Sequence, residues 1–261
     1  MERDKLNIIL FDDIPSFISL SDSRGRHIKK ILKAVAGDCL KAGVVNGARG
    51  EVCIESVEAD GYRVSWRETG PAVGLYPLTL LVGFVRPISV KRILREAASL
   101  GVGRLVFTVT DTGERSYREA NLWKTGEYRE YLINGVQTAG ATVLPEVVLT
   151  GGVREAVVEI GGRGWLPGAD PTHDLGTVRT DQPPARIVLD NVEEGRALSQ
   201  VDLSGREVVL AVGSERGWSD RERQIFREAG FESVSLGSRV LRTETACSTG
   251  TAIALARVGF V

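Results

Sequence analysis

Histidine is nearly absent from this chain: His27 and His173 are the only two in 261 residues. Both precede Ser214, whereas the α/β-hydrolase order places a histidine after its nucleophile, and Gly213-Ser214-Glu215-Arg216-Gly217 does not fit a nucleophile elbow. That disfavours a serine hydrolase. Cysteine is also scarce, with Cys39, Cys53 and Cys247 scattered without metal or disulfide spacing, so the thiols are expected to be free in a reducing compartment and no metal centre is expected. No Walker A sequence occurs, and Gly101-Val102-Gly103 precedes a strand instead of opening a helix, which leaves only a weak case for a dinucleotide fold. Apolar runs of membrane-spanning length are missing, and the charged start Met1-Glu2-Arg3-Asp4-Lys5 leads into a short strand-like run. A cytoplasmic protein without a membrane partner is the expectation. The net charge is -1, so there is no bulk attraction for nucleic acid, and any RNA contact must come from local patches.

With 43% hydrophobic and 26% charged residues, the chain can bury a full core in a small domain plus a larger one. It divides near Gly70-Pro71-Ala72-Val73-Gly74. Before that point the short runs 39–45, 51–57 and 62–66, separated by Gly and charged turns, predict a small β-barrel. After it, a buried strand at 78–85, an amphipathic helix at 89–100 and a strand at 104–110 predict an α/β domain, with 115–140 mainly helical. The Gly- and Pro-containing stretch 161–184 reads as an excursion, either a substrate loop or a surface insertion. One basic cluster, Arg24, Arg26, His27, Lys29, Lys30 and Lys33, puts Arg26, Lys30 and Lys33 at i, i+4, i+7, with Ile28, Ile31, Leu32 and Val35 as the buried side of the same helix. It is a candidate RNA contact or simply a solvated face.

The most informative stretch lies further on. Val208 to Val212 is a buried-strand run ending in Gly213-Ser214-Glu215-Arg216-Gly217-Trp218; Ser219 and Glu222 form a capping box, and Gly230 stops the helix that follows. Residues 231–236 predict the next strand. Then Gly237-Ser238-Arg239-Val240-Leu241-Arg242 leads into a second helix, opened by Thr243, Glu244 and Thr245 where N-terminal amides need oxygen partners. Strand, Gly loop and helix occur twice, and in a parallel sheet both loops fall at the C-terminal strand ends, where ligands bind. Cys247 sits among Ala246, Ser248, Thr249, Gly250 and Ala252, a small-residue face suited to close packing more than to nucleophilic chemistry.

Gly213-x-Glu215-x-Gly217-Trp218-Ser219-x-x-Glu222, followed by Leu236-Gly237-x-Arg239-Val240-Leu241-Arg242-Thr243-Glu244-Thr245-Ala246, resembles the C-terminal signature of the RsmE family, SPOUT-class methyltransferases of small-subunit (16S) ribosomal RNA. The resemblance extends to Lys91 and Ser99-Leu100-Gly101-Val102, to Leu144-Pro145-Glu146, and to Arg26-His27-Ile28-x-x-Ile31-Leu32-Lys33 with Gly37-Asp38. There are two departures. Ser214 and Arg216 stand where the family usually has a proline and the first of paired glycines, and Gln137-Thr138-Ala139-Gly140-Ala141 stands where Glu-Gln-x-Gly-Arg is common.

The resemblance implies a PUA-like RNA-binding β-barrel over residues 1–72 and a SPOUT trefoil-knot methyltransferase domain over 73–261, in a homodimer. Periodicity alone cannot reveal a knot. It further implies S-adenosylmethionine as cofactor and N3 of a uridine in small-subunit ribosomal RNA as acceptor. Backbone and apolar groups of Leu189, Val212, Gly213, Glu215, Gly217, Leu236, Gly237, Val240 and Leu241, with Thr243 at the helix entrance, would hold the cofactor. Glu215 could equally be structural, bonding a neighbouring loop. Arg242 first and Arg239 second are the candidates to stabilise charge on the uracil ring, unless one of them only bonds carbonyls at the helix entrance. Arg24, Arg26, His27, Lys30 and Lys33 would contact RNA. The rival from another class is a catalytically idle RNA-binding or ribosome-assembly factor on the same fold, to which the two departures would point.

Overall fold

The computed structural model describes residues 7–162, 182–193 and 195–261. His173 and most of the 161–184 excursion lie outside the described residues. The chain forms two compact units, Met1–Val73 with Val136–Leu144, and Gly74–Gly135 with Pro145–Val261.

In the first unit, β1 (Ile9–Phe11), β2 (Phe17–Ser19), β3 (Cys39–Val44), β4 (Arg49–Val57) and β5 (Gly61–Gly70) make one curled half-barrel sheet in the order β1-β3-β4-β5-β2. Alternating side chains of these strands, among them Phe11, Ile18, Leu40, Val52, Ile54 and Val64, turn inward and form the core with Ile28. One expectation fails here. Cys39 and Cys53 face each other in the β3–β4 register and are joined by a disulfide. Their separation of 14 residues carried no signal, because the hairpin register is what brings them together.

The basic cluster also departs from its expected form. Asp22 caps α1 (Ser23–His27), its carboxylate accepting from the Arg24 amide at 2.8 Å. The next turn, Ile28–Leu32, widens to a π-helix and ends at Lys33 with φ of 50°. Because i→i+5 bonding replaces α-helical spacing there, no regular α-helical face runs through Arg26, Lys30 and Lys33. Ile28 is buried and Leu32 half-buried, but Ile31 and Val35 are 68% and 61% exposed. Arg26, His27, Lys30 and Lys33 are exposed, whereas Arg24 pairs with Asp22, donates to the Leu10 carbonyl and lies over the Phe11 ring.

The second unit is built on a parallel sheet. Its strands are β6 (Tyr76–Gly83), β7 (Val102–Thr108), β8 (Glu146–Thr150), β9 (Ala185–Leu189), β10 (Val208–Val212) and β11 (Glu232–Val234), in the order β11-β9-β10-β6-β7-β8. The central strands are apolar runs because both faces are covered. α2 (Pro87–Ser99) and α7 (Thr243–Val258) pack together on one face. α5 (Val153–Gly162) and α6 (Asp220–Glu228) cover the other, closing a core of Leu81, Val106, Ala156, Val209, Ile225 and Phe226. Between β7 and β8 the helical stretch is broken into a 3-10 turn (Arg115–Glu119), α3 (Asn121–Lys124) and α4 (Tyr128–Ala139). Gly250 brings α7 down onto the sheet, since a Cβ there would lie 3.0 Å from Leu189 and 3.1 Å from Leu210. Cys247 is buried in this packing, and burial pushes its thiol far above the ordinary range, so it stays protonated.

The connection after β9 bonds both sides of the chain around β11. β11 pairs with β9 along one edge, where Asp190 N donates to Val234 O. By residue 196 the chain from β9 has reached the opposite edge, where Ser235 N donates to Arg196 O and Leu198 N to Ser235 O. The end of β11 and Ser235, which lead toward α7, are therefore bonded on both sides by stretches of one connection. No helix among the described residues is long and apolar enough to cross a membrane.

Candidate active site

All strands of the second sheet being parallel, the loops after β6, β9, β10 and β11 share its C-terminal edge and enclose a cavity of about 740 Å³. Leu189, Val212, Gly213, Glu215, Gly217, Leu236, Gly237, Val240, Leu241 and Thr243 all line it, as do Arg239 and Arg242.

The loop after β10 is a tight turn. Gly217 N donates to Ser214 O at 2.9 Å, and Gly217 has φ of 68°, which favours glycine. A Cβ on Gly213 would lie 2.9 Å from the Gly217 Cα. Ser214, at the position where a proline is usual, is buried and shares a 3.1 Å hydrogen bond with the Thr110 hydroxyl, while Thr112 Oγ1 donates to Gly217 O at 2.9 Å. The neighbouring loop after β7 thus fixes the turn without a proline. Arg216 is exposed and lines the cavity.

Glu215 takes the structural option: its carboxylate accepts from the Arg86 amide at 3.1 Å, at the N-cap of α2. Gly237 has φ of 116°. Thr243 does not cap the helix it opens; its hydroxyl donates to Gly213 O instead. Arg242 is the N-cap residue of α7, its carbonyl accepting from Ala246 N, but it makes no side-chain cap bond, and neither the Arg239 nor the Arg242 guanidinium has a hydrogen bond or ion pair among the described residues. Both are exposed, as are Val240 and Leu241.

Sequence reasoning missed a buried pair. Arg223 Nε lies 2.6 Å from Asp190 Oδ2, with side-chain exposures of 11% and 3%, and Asp190 Oδ1 accepts from Val192 N at 2.8 Å. The hydrogen bond to Asp190 raises the Arg223 pKa further. Asp111 was missed too. Its amide donates to Glu222 at 2.8 Å, and its carboxylate, held below the ordinary range by Arg221 and Ser219, links the loop after β7 to the start of α6. Both aspartates directly follow or closely follow a buried strand, at the sheet edge where polar groups meet ligands; that position was the available signal.

The chain from residue 74 to 255 matches the family model described as RNA methyltransferase domain. It is 37% identical over 258 residues to the ribosomal RNA small subunit methyltransferase E of Treponema pallidum, covering 96% of this chain and 91% of that protein. A second relative, ribosomal RNA small subunit methyltransferase E 1 of Borreliella burgdorferi, is 27% identical, with 92% and 93% covered. Among solved structures, the ribosomal RNA small subunit methyltransferase E of Neisseria gonorrhoeae bound to S-adenosyl methionine superposes with a TM-score of 0.73 at 20% identity, covering 96% of this chain and 97% of that one. A methyltransferase from Legionella pneumophila in complex with the same cofactor gives 0.70 at 21% identity, with 96% of each chain covered. A parallel sheet with two glycine loops facing one cavity, a matching family model and relatives that span nearly the whole chain agree: it belongs to the RsmE family of small-subunit ribosomal RNA methyltransferases.

Proposed function

We propose that this protein transfers a methyl group from S-adenosylmethionine to N3 of a uridine in small-subunit ribosomal RNA, in the cytoplasm and as a homodimer. The observation that carries this reading is the meeting of both glycine loops and two unpaired arginines around one cavity. Its volume falls within the usual range for small-molecule sites, and its walls combine apolar side chains with exposed backbone groups, which suits a flat purine with polar edges. Leu189, Val212, Leu236 and Leu241 would pack the adenine, and the backbone of Gly213, Glu215, Gly217 and Gly237 would bond its edge and the ribose. When bound, the cofactor supplies an electrophilic methyl group on a sulfonium.

The protein's own task is then placement and charge stabilisation. Arg242, free of partners at the rim, would bond the uracil carbonyl oxygens as they gain negative charge on loss of the N3 proton, with Arg239 beside it. N3 lies on the pairing edge, so the target must be unpaired or extruded. Arg26, Lys30 and Lys33 of the first unit would add phosphate contacts. Ser214 and Arg216 leave the loop closed, which favours an active enzyme over an idle assembly factor. Incubating purified protein and labelled cofactor with an assembled small subunit, then analysing its nucleosides by mass, tests this directly. N3-methyluridine is expected; its absence, or an inability to bind S-adenosylmethionine, overturns the reading.

A further inference from the structure

Six arginines of the second unit, Arg86, Arg115, Arg118, Arg216, Arg239 and Arg242, are exposed, and their guanidinium groups make no hydrogen bond or ion pair among the described residues. Exposed arginines elsewhere are mostly occupied, as in Arg63 with Glu58, Arg196 with Glu232 and Arg227 with Glu193; Arg95, two turns along α2, is an exception. The six share a place. They follow β6, β7, β10 and β11, so they stand along the C-terminal edge of one parallel sheet. From β11 to β7 that edge crosses four strand spacings, about 19 Å at 4.8 Å each. Four of the six line the cavity already described; Arg115 and Arg118 lie beyond it.

These two are held in a fixed relation to the cavity. Their loop is tied to the glycine loop after β10 by the Thr110–Ser214 and Thr112–Gly217 bonds, and to α6 by Asp111. From beneath, the Tyr117 carbonyl accepts from the Trp123 indole at 3.2 Å, and Trp123 is buried against Phe84 and Phe107. The acidic side chains of the loop are engaged elsewhere: Asp111 with Arg221 and Ser219, Glu119 with Lys124, Glu114 with Ser116. Tyr117, which lies between Arg115 and Arg118 in sequence, is half-buried.

We infer that Arg115, Tyr117 and Arg118 form a second contact for single-stranded RNA beside the cavity, Arg115 and Arg118 taking backbone phosphates next to the target nucleotide and Tyr117 offering a ring on which an adjoining base stacks. The inference rests on the RNA-methyltransferase reading and adds to it the path of the strand across the sheet edge. Unpaired cations alternating with an aromatic face fit a single strand, because phosphates need the charge and unstacked bases need the ring. The rigid tie sets the flanking nucleotide at a constant distance from the reacting one.

Fluorescence anisotropy with a labelled oligouridylate, read across a salt series, tests this. The Arg115→Ala/Arg118→Ala variant is expected to bind several-fold more weakly, with the slope of log affinity against log salt reduced by about 1.4, or about 0.7 for each phosphate lost. Arg115→Lys/Arg118→Lys should recover that slope, which separates a phosphate contact from a folding defect. Tyr117→Leu should weaken binding with the slope unchanged. Calorimetric affinity for S-adenosylmethionine should equal that of the wild type in all three. A wild-type affinity and slope in the double alanine variant overturns the contact, whether because RNA runs elsewhere or because the patch docks an acidic protein. Methylation of assembled small subunits by the unaltered protein is scored separately, so the enzyme can stand while this contact falls, and the reverse.

Discussion

The Thr243 hydroxyl donates to the Gly213 carbonyl across 3.2 Å, tying the first residue of α7 to the first residue of the loop after β10. Thr243→Val keeps the shape and removes the donor from a buried position. It should cost about 1 kcal/mol of stability and lower S-adenosylmethionine affinity, because the two loops lose their common reference. Urea unfolding and calorimetry check this; unchanged values in both would mean that the bond does not position the loops.

Gly237→Val is expected to abolish cofactor binding while leaving the fold largely intact. A Cβ there would have nothing within 4 Å, so the cause is the backbone, whose φ of 116° a β-branched residue does not adopt. Gly213→Val acts differently: its Cβ would press on Gly217 at 2.9 Å and force the turn open, so some stability is lost along with affinity. Wild-type affinity in both variants would show that these loops do not form the cofactor site.

Arg242→Ala should reduce single-turnover methyl transfer by a factor of about 10² to 10³, in line with about 3 to 4 kcal/mol for a donor at a developing oxyanion, while cofactor affinity changes little. The guanidinium has no structural bond to lose. Full activity in the variant would remove Arg242 from the chemistry and leave Arg239 to be tested in its place.

Asp22 gives the first unit an acid-sensitive element. Its hydrogen bond with Arg24 lowers the carboxyl pKa to about 2 from the ordinary 3.8. Since the folded value is depressed, the contribution is complete above pH 3.8 and disappears as pH falls toward about 2. Asp22→Asn retains a good N-cap and removes the titration, so the gap in unfolding free energy between wild type and variant should close over that interval. A gap that stays constant would rule the pair out as the source.

Light scattering should report a homodimer at micromolar concentration, closed two-fold symmetry being the commonest oligomer. The exposed apolar side chains of Val240 and Leu241 at the cavity rim are candidates for coverage by the second copy. A monomer under these conditions would exclude the dimer.

The second unit was largely legible in the sequence, because its signals are local: apolar runs for β6 and β10, the Ser219–Glu222 capping box, and glycines at turns with positive φ. Relationships that form only after folding were not. Cys39 meets Cys53 through strand register, Arg223 meets Asp190 across 33 positions, and Thr110 meets Ser214 across 104. The basic cluster was misjudged in shape because a π turn between α1 and Lys33 leaves no mark on a 3.6-residue periodicity.

Ser235, bonded to Arg196 and Leu198, marks where the chain enters the last wall of the cavity. Nine of the 23 residues that line the cavity lie between Leu236 and Ala246, so a chain cut short before Leu236 can build the β9–β10 edge yet lacks one wall of the pocket. Forms truncated there are expected to compete poorly for cofactor, and binding of S-adenosylmethionine becomes a report that the C-terminal segment is in place.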